Sequence, residues 1–171
     1  MSRTKLILSV DQGTTNTKAL LIDHAGAVRA RASRPLTISF PQPGWVEQDA
    51  HGLLGSVLAA AADCFAQVED AEIVAMGISN QRESVVVWDR QTGEPAGPCV
   101  IWQCRRTSPF CDELRRGGLG PDIQQRSGLP VDPLFPVRRS AGSSITLPTG
   151  RCEPRPGTSG PARWTVGCCG T

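Results

Sequence analysis

Short apolar runs and turns alternate along the first part of the chain. The run "KLILSV" ends at Asp11 and Gly13, "TKALLID" ends in a turn at 24–26, and "AVRARASRPL" alternates small or apolar side chains with basic ones. Runs of this length that end in Gly or Asp are typical of strands. Because the three runs follow one another closely, the pattern predicts an antiparallel meander.

A helical pattern follows the third predicted strand. Asp49 is a suitable N-cap, and the apolar side chains after it recur at helical spacing. These side chains are Leu53, Leu54, Val57, Leu58, Ala61 and Phe65. The next apolar run, "AEIVAMGISN", predicts a buried strand, and strand, helix and strand in this order predict a parallel crossover.

The remaining elements are shorter. The runs "SVVVWD" and "CVIW" predict two further strands, and helices are predicted over 108–116 and 121–126, separated by a pair of glycines. A meander, a helical crossover and additional strands together predict an α/β fold with a mixed sheet.

The composition changes after Phe135. Up to this residue the chain has 13 Lys and Arg against 15 Asp and Glu, whereas the last 36 residues hold five Arg, one Glu and 11 Gly or Pro. No apolar periodicity continues into this last part. We therefore predict a folded domain over 1–135 and an unstructured tail over 136–171.

The charge and cysteine content exclude several classes of protein. With 18 basic and 16 acidic residues in all, the chain has no electrostatic reason to bind nucleic acid or an anionic membrane. The first apolar run is too short for a secretory signal or a membrane span. Seven Cys without a Cys-x-x-Cys motif fit reduced thiols, so a cytoplasmic protein without a structural zinc site is predicted.

The segment "DQGTTNTK" lies between the first two predicted strands and could bind phosphate. Gly13 allows the backbone to approach a bulky anion, and Thr14, Thr15 and Asn16 supply amide and side-chain donors. Asp11, at the end of a strand, could hold a hydrated Mg²⁺ beside that anion. An ordinary β-turn is the alternative interpretation.

The segments "SNQRES" and "IWQCRRT" could contact a polyhydroxylated ligand. Arg82 donates hydrogen bonds in a fork and Glu83 accepts them, which suits vicinal hydroxyl groups. Trp102 offers an apolar wall next to polar groups. A surface ion pair and a core tryptophan are the alternatives.

Five motifs, taken in order along the chain, resemble the N-terminal part of the FGGY carbohydrate kinases, and most of all the glycerol kinase branch. They are "DQGTTNTKALLID", "PGWVEQD", "GISNQRES", "VIWQCRRT" and "GLPVDPLF". The resemblance covers residues 5–135. It implies a ribonuclease-H-like, actin-like fold that is incomplete in this chain. It also implies ATP-dependent phosphorylation of a polyol or sugar hydroxyl.

The resemblance assigns roles by position. It places Asp11, Gly13, Thr14, Thr15, Asn16 and Lys18 at the nucleotide phosphates, with Asp11 acting on Mg²⁺ indirectly and Lys18 standing where glycerol kinases have Arg. It places Arg82 and Glu83 at the substrate hydroxyls and Trp102 beside them. The catalytic Asp base of the family lies beyond the matched region, so no catalytic residue is assigned.

Leu134 departs from the glycerol kinase pattern, which has a Tyr whose hydroxyl contacts the substrate. Leucine cannot make that hydrogen bond, so a polyol larger than glycerol or a ketose becomes a candidate substrate.

The tail suggests a shifted reading frame. The family pattern continues with "FSGTK" and later "GTVDSWLLW". Both can be encoded by the tail when the last base of each codon is joined to the first two bases of the next codon. In this shifted frame, the codons of Trp164 and Thr165 together encode Asp, and the codons of Cys168 and Cys169 together encode Leu. We therefore expect a truncated kinase whose frame shifts after Phe135.

The expected partners are a small polyol or sugar and ATP with Mg²⁺, without nucleic acid or membrane. Family members are often homo-oligomers. The chain alone is expected to be inactive. The alternative is a non-catalytic sugar-binding or interaction module whose tail, rich in Gly, Pro and Arg, is genuine.

Overall fold

The computed structural model describes residues 3–135 and the backbone of residues 164–169. The strands are β1 (Thr4–Gln12), β2 (Asn16–Asp23), β3 (Val28–Pro35), β4 (Glu47–Gln48), β5 (Ala71–Asn80), β6 (Ser84–Asp89), β7 (Cys99–Val100) and β8 (Trp164–Cys169). The helices are α1 (Ala50–Phe65), α2 (Ser108–Arg116) and α3 (Gly120–Ser127). The chain divides into two units, residues 3–38 with 48–81, and residues 39–47 with 82–135 and 164–169.

The first unit is built on a four-stranded sheet in the order β3-β2-β1-β5. β1 pairs antiparallel with β2, β2 pairs antiparallel with β3, and β1 pairs parallel with β5. The predicted meander and parallel crossover are therefore confirmed, and the sheet is mixed. The strands β4, β6, β7 and β8 form a second sheet.

Helix α1 begins where the sequence predicted. The Asp49 carboxylate accepts hydrogen bonds from the backbone N–H groups of His51 and Gly52, at 3.3 and 2.7 Å, and caps the helix. The helix packs on one face of β1, β2 and β3. The buried core there consists of Leu6, Leu8, Val10, Ala19, Leu21, Ala30, Ala60 and Cys64.

The buried side of α1 differs from the predicted one. Ala60 and Cys64 are fully buried, whereas Leu54 and Leu58 are 60% and 63% exposed. Small side chains allow the helix to lie close to the sheet, and the larger leucines stay on its flank. The helix was predicted correctly, but only part of its apolar stripe faces the core.

Strand β5 was predicted to be buried, and that prediction was wrong. Among the described strands it forms one edge of the sheet and pairs with β1 alone. Along it, Met76 and Ile78 are 61% and 58% exposed. Helix α1 packs mainly on the other three strands, and residues 72–79 of β5 are exposed.

The second unit contains β6 paired with both β7 and β8, with α2 and α3 following in the chain. Both helices were predicted correctly. Gly128, in the left-handed conformation with φ of 72°, ends α3 and donates its N–H to the Gln124 carbonyl. In the described part of the chain, no helix is both long and apolar enough to cross a membrane.

Part of the segment predicted as a tail, residues 164–169, is a strand. These residues form β8, which runs antiparallel to β6 from Asp89↔Trp164 to Ser84↔Cys169. The segment is rich in β-branched and aromatic residues, and β6 offers an otherwise unpaired edge of backbone donors and acceptors. The rest of the predicted tail, 136–163 and 170–171, lies outside the described residues.

A buried ion pair joins β4 to the loop between β7 and α2 in the second unit. The Arg106 guanidinium contacts the Glu47 carboxylate at 2.6 Å, and only 7% and 14% of these side chains are exposed. The guanidinium also lies 3.9 Å from the centre of the Trp45 ring. These contacts fix the segments "PGWVEQ" and "IWQCRRT" against each other within this unit.

Candidate functional site: a β-hairpin loop and a cleft

The loop between β1 and β2 is a tight turn that only glycine permits at its first position. The Gly13 N–H donates to the Asn16 carbonyl at 3.0 Å and closes the turn. A Cβ on Gly13 would lie 2.9 Å from that oxygen, closer than real side chains approach. A side chain at this position would therefore force the turn to open, which explains why glycine stands here.

The loop is anchored on both sides within the first unit. The Leu36 N–H donates to the Thr15 carbonyl at 2.8 Å. At the start of β2, the Thr17 and Ser56 hydroxyls are 2.6 Å apart and tie the strand to α1. Loop residues Thr14 and Asn16 are half-buried and Thr15 is exposed. The hairpin is thus held in place while its tip remains accessible.

Two charged residues flank this loop on the sheet. Asp11 and Lys18 are directly opposite each other in the β1–β2 ladder, and both are exposed. Their neighbours Val10, Gln12 and Thr17 are buried, so Asp11 and Lys18 lie on the face of the sheet away from α1. The structure therefore brings all six residues predicted at the phosphates into one hairpin, and their role there stays a prediction.

The predicted pair Arg82 and Glu83 precedes β6 in the second unit. Arg82 is exposed and Glu83 is half-buried. Glu83 has a φ of 61°, in the left-handed region that residues other than glycine seldom occupy. Such backbone strain is concentrated at binding sites and active sites, which is consistent with the predicted role of this pair.

Trp102 lines a cleft of about 540 Å³ within the second unit. The lining residues are Trp102, Gln103, Arg105, Pro130, Asp132, Leu134 and Phe135. Four of them are apolar, and the Arg105 guanidinium contacts the Asp132 carboxylate at 3.2 Å. Trp102 and Leu134 thus share one cavity, whereas Arg82 and Glu83 are not among the residues that line it.

Sequence reasoning missed Gln48. This residue is 2% exposed and lies with Gln81, which is 7% exposed, in the interior of the first unit. A buried amide is costly unless it is hydrogen-bonded, so its position indicates a network. The only signal in the sequence was a polar residue directly before the N-cap of α1, which by itself predicts exposure.

The groups with shifted pKa values lie away from these sites. A hydrogen bond from the Ala27 N–H, assisted by Arg29, holds the pKa of Asp23 below its usual value at the β2–β3 turn. Burial raises the pKa of the Cys64 thiol in the core. Among the described residues there is no group of three or more His, Cys, Asp or Glu side chains that could hold a metal ion. A direct, all-protein metal cage is therefore not present in that part.

Comparison with known proteins identifies close relatives. The chain is 45% identical over 147 residues to an apulose kinase of Pectobacterium atrosepticum, covering 86% of this chain and 30% of that protein. It is 46% identical over 133 residues to a glycerol kinase of Herminiimonas arsenicoxydans, covering 77% and 27%. The chain thus spans less than a third of the length of these relatives.

The fold has solved counterparts as well. The crystal structure of Plasmodium falciparum glycerol kinase with ADP superimposes with a TM-score of 0.74 at 26% identity, covering 80% of this chain and 28% of that one. The sequence profile of the N-terminal domain of the FGGY family of carbohydrate kinases matches residues 6–139. With its mixed sheet and crossover helix, this chain therefore belongs to the FGGY family of carbohydrate kinases and carries the N-terminal domain of that family.

Proposed function

We propose that this chain is the nucleotide-phosphate and substrate-binding portion of an ATP-dependent kinase that phosphorylates a hydroxyl group of a polyol or sugar. The hairpin geometry carries the proposal, because the loop holds an exposed Thr15 whose backbone N–H has no hydrogen-bond partner among the described residues. The names of the relatives, an apulose kinase and a glycerol kinase, support the same class of substrate.

The hairpin residues take the nucleotide in this proposal. The Thr15 backbone N–H and the Asn16 side-chain amide donate to phosphate oxygens, Thr14 lies beside them in the loop, and the Lys18 ammonium supplies positive charge. Asp11 is an exposed carboxylate next to the loop, so it suits indirect binding of Mg²⁺ through water. The metal neutralises phosphate charge during transfer.

The second unit takes the alcohol in this proposal. Arg82 and Glu83 bind its hydroxyl groups, and Trp102 forms an apolar wall for its carbon chain. The cleft of about 540 Å³ is within the range that holds small ligands. Leu134 lines it without a hydroxyl, which favours a polyol or ketose larger than glycerol.

Residues 1–171 alone do not catalyse the transfer in this proposal, since no acid in the matched region is assigned as the base that takes the hydroxyl proton. Polyol-dependent formation of ADP by the purified chain would contradict this. The chain still binds nucleotide, and calorimetry with MgADP measures it. A Thr15→Pro variant, which removes the donor N–H, is expected to weaken binding, with Thr92→Pro, in the turn after β6 of the second unit, as the control.

Substrate choice is tested by binding to the same chain. Titration with glycerol, erythritol and ketopentoses is expected to favour the larger ligands. The Leu134→Tyr variant is expected to shift the preference toward glycerol, because a tyrosine hydroxyl restores a polar partner. A ligand preference that is the same in the unchanged chain and in this variant would exclude the role of Leu134.

A sugar-binding module without catalysis is the second candidate. It is favoured by one observation, namely that the cleft around Trp102 is formed by the second unit alone. Tight polyol binding by the chain without any affinity for MgADP would favour this candidate over the kinase portion.

A further inference from the structure

A closed ring of hydrogen bonds holds Thr14 of the hairpin loop. The Thr14 hydroxyl donates to the Gln81 side-chain oxygen at 3.4 Å, the Gln81 amide donates to the Gln48 side-chain oxygen at 2.8 Å, and the Gln48 amide donates to the Thr14 carbonyl at 2.8 Å. The three residues lie in the first unit. Both glutamines are buried, so the ring is shielded from water.

The ring is tied to the surrounding backbone at two further points. The Gln81 N–H donates to the Gln12 carbonyl at 2.8 Å, and the Gln48 amide also approaches the Thr37 carbonyl at 3.5 Å. The backbone of Gln81 and the side chain of Gln48 thus each have a contact outside residues 13–16 of the loop.

The ring determines where the next peptide group points. In a trans peptide the carbonyl and the following N–H point in opposite directions, and the described chain has no cis peptide bonds. Because the Thr14 carbonyl is directed inward to Gln48, the Thr15 N–H is directed outward. This N–H has no hydrogen-bond partner among the described residues, and Thr15 is exposed.

We propose that Gln48 and Gln81 are positioning residues for phosphate binding: through the ring they aim the Thr15 N–H at the anion. This inference rests on the proposed function of the hairpin. Neither glutamine touches the phosphate itself. Loss of either one frees the Thr14–Thr15 peptide to rotate, and the donor is no longer held toward the ligand.

The test measures binding of inorganic tripolyphosphate with Mg²⁺ to the chain 1–171 by calorimetry. The Gln48→Leu and Gln81→Leu variants are expected to bind about tenfold more weakly, the equivalent of about 1.4 kcal/mol. The double variant is expected to be no weaker than either single one, because the ring acts as a unit. The control is Gln67→Leu, which removes an exposed glutamine bonded to Arg31 and Asp63 of the same unit.

Amide hydrogen exchange supplies a local readout that does not depend on the ligand. In both variants the Gly13 and Leu36 N–H groups, which bond the two ends of the loop, are expected to exchange about tenfold faster relative to the Leu8 N–H in the middle of β1. A uniform acceleration at all three would mean general destabilisation only and would overturn the proposal.

The outcomes separate this inference from the proposed function. If the unchanged chain binds tripolyphosphate and the folded variants bind it equally well, the positioning role is wrong and the phosphate site stands. If the unchanged chain does not bind it, the phosphate site is wrong, and the positioning role, which rests on it, is wrong with it. In that case, hydrogen exchange at the Gly13 and Leu36 N–H groups shows only whether the ring orders the loop.

Discussion

Lys18 and Asp11 face each other across the β1–β2 ladder, one residue pair before the hairpin loop. Both are exposed on the face of the sheet that α1 does not cover. Since no ion pair joins them among the described residues, each is available to a ligand.

Replacing Lys18 by Ala is therefore expected to reduce the affinity for tripolyphosphate about tenfold, or by about 1.4 kcal/mol. The loss should shrink as salt is added, because exposed charges are screened. Lys5→Ala is the matched control, since Lys5 lies on the same face of β1 at its other end. Equal losses for the two variants would show a general charge effect instead of a site.

Replacing Gly13 by Ala is expected to distort the hairpin, because the new Cβ would lie 2.9 Å from the Asn16 carbonyl oxygen. We expect a loss of about 1–3 kcal/mol in the free energy of unfolding, measured with urea, together with weaker tripolyphosphate binding. In the control, Gly55→Ala, the added methyl meets open space on α1 and should stabilise the helix by up to about 1 kcal/mol. A Gly13→Ala variant with an unchanged free energy of unfolding would contradict the steric clash with the Asn16 carbonyl oxygen.

The neighbours Arg105 and Arg106 should differ sharply in their contribution to stability. Arg106 is paired with Glu47 in a buried setting, so Arg106→Ala is expected to cost about 3–5 kcal/mol. Arg105 is paired with Asp132 but is 59% exposed, so Arg105→Ala should cost less than about 1 kcal/mol. Urea denaturation measures both, and similar losses would show that burial does not distinguish the pairs.

Asp23 should make stability depend on pH in the acid range. The Ala27 N–H, the Arg29 guanidinium and the Ala25 N–H all donate to its carboxylate, which holds its pKa below the usual value. Because the folded-state pKa is the lower one, the stabilisation is complete above the unfolded-state pKa of about 3.9 and is lost as the pH falls toward the folded-state value.

The Asp23→Asn variant is therefore expected to be less stable than the unchanged chain at pH 7, with a difference that narrows below about pH 4. Urea denaturation at a series of pH values measures it. Asp122→Asn, in an exposed pair with Arg126 on α3, is the control for removing a carboxylate at the surface. A difference that stays constant down to pH 2.5 would rule out the pKa shift as its cause.

The two edges of the first sheet predict self-association through β5. The β3 edge carries Arg29, Arg31 and Arg34, whereas β5 exposes Met76 and Ile78 on an edge with a single charged residue. Uncharged apolar edges pair with other chains. Sedimentation velocity should show association of the purified chain that increases with concentration.

A Met76→Lys, Ile78→Lys double variant is expected to abolish that association by placing charge on the edge. Val28→Lys, at a 53% exposed position of β3, is the control and should leave it unchanged. If the unchanged chain is monomeric at all concentrations, β5 does not act as a pairing edge.

Most of the fold could be predicted from the sequence because its signals are local. The meander follows from short apolar runs with turns between them, and α1 from its cap and spacing. The exposure of β5 could not be predicted, because an apolar run does not show which strand lies at an edge. The split into two sheets depends on pairings between segments distant in the chain, which periodicity does not encode.

The candidate site was predictable where its residues are adjacent in the sequence, as in the hairpin from Asp11 to Lys18. The residues that contact that hairpin from elsewhere in the chain could not be predicted. Gln48 and Gln81 are 33 residues apart and meet only because the sheet and α1 bring them together. Similarly, the cleft joins Trp102 to Leu134 through loops without a periodic pattern.

The ring around Thr14 has a thermodynamic consequence. A loop that is fixed when the chain folds loses its conformational entropy at that stage, so a ligand binding later does not have to order it. The backbone donor of the hairpin is in this sense pre-organised. Phosphate binding to the hairpin should accordingly proceed with little change in the protein's internal motion, because the loop has already lost its conformational entropy when the chain folds.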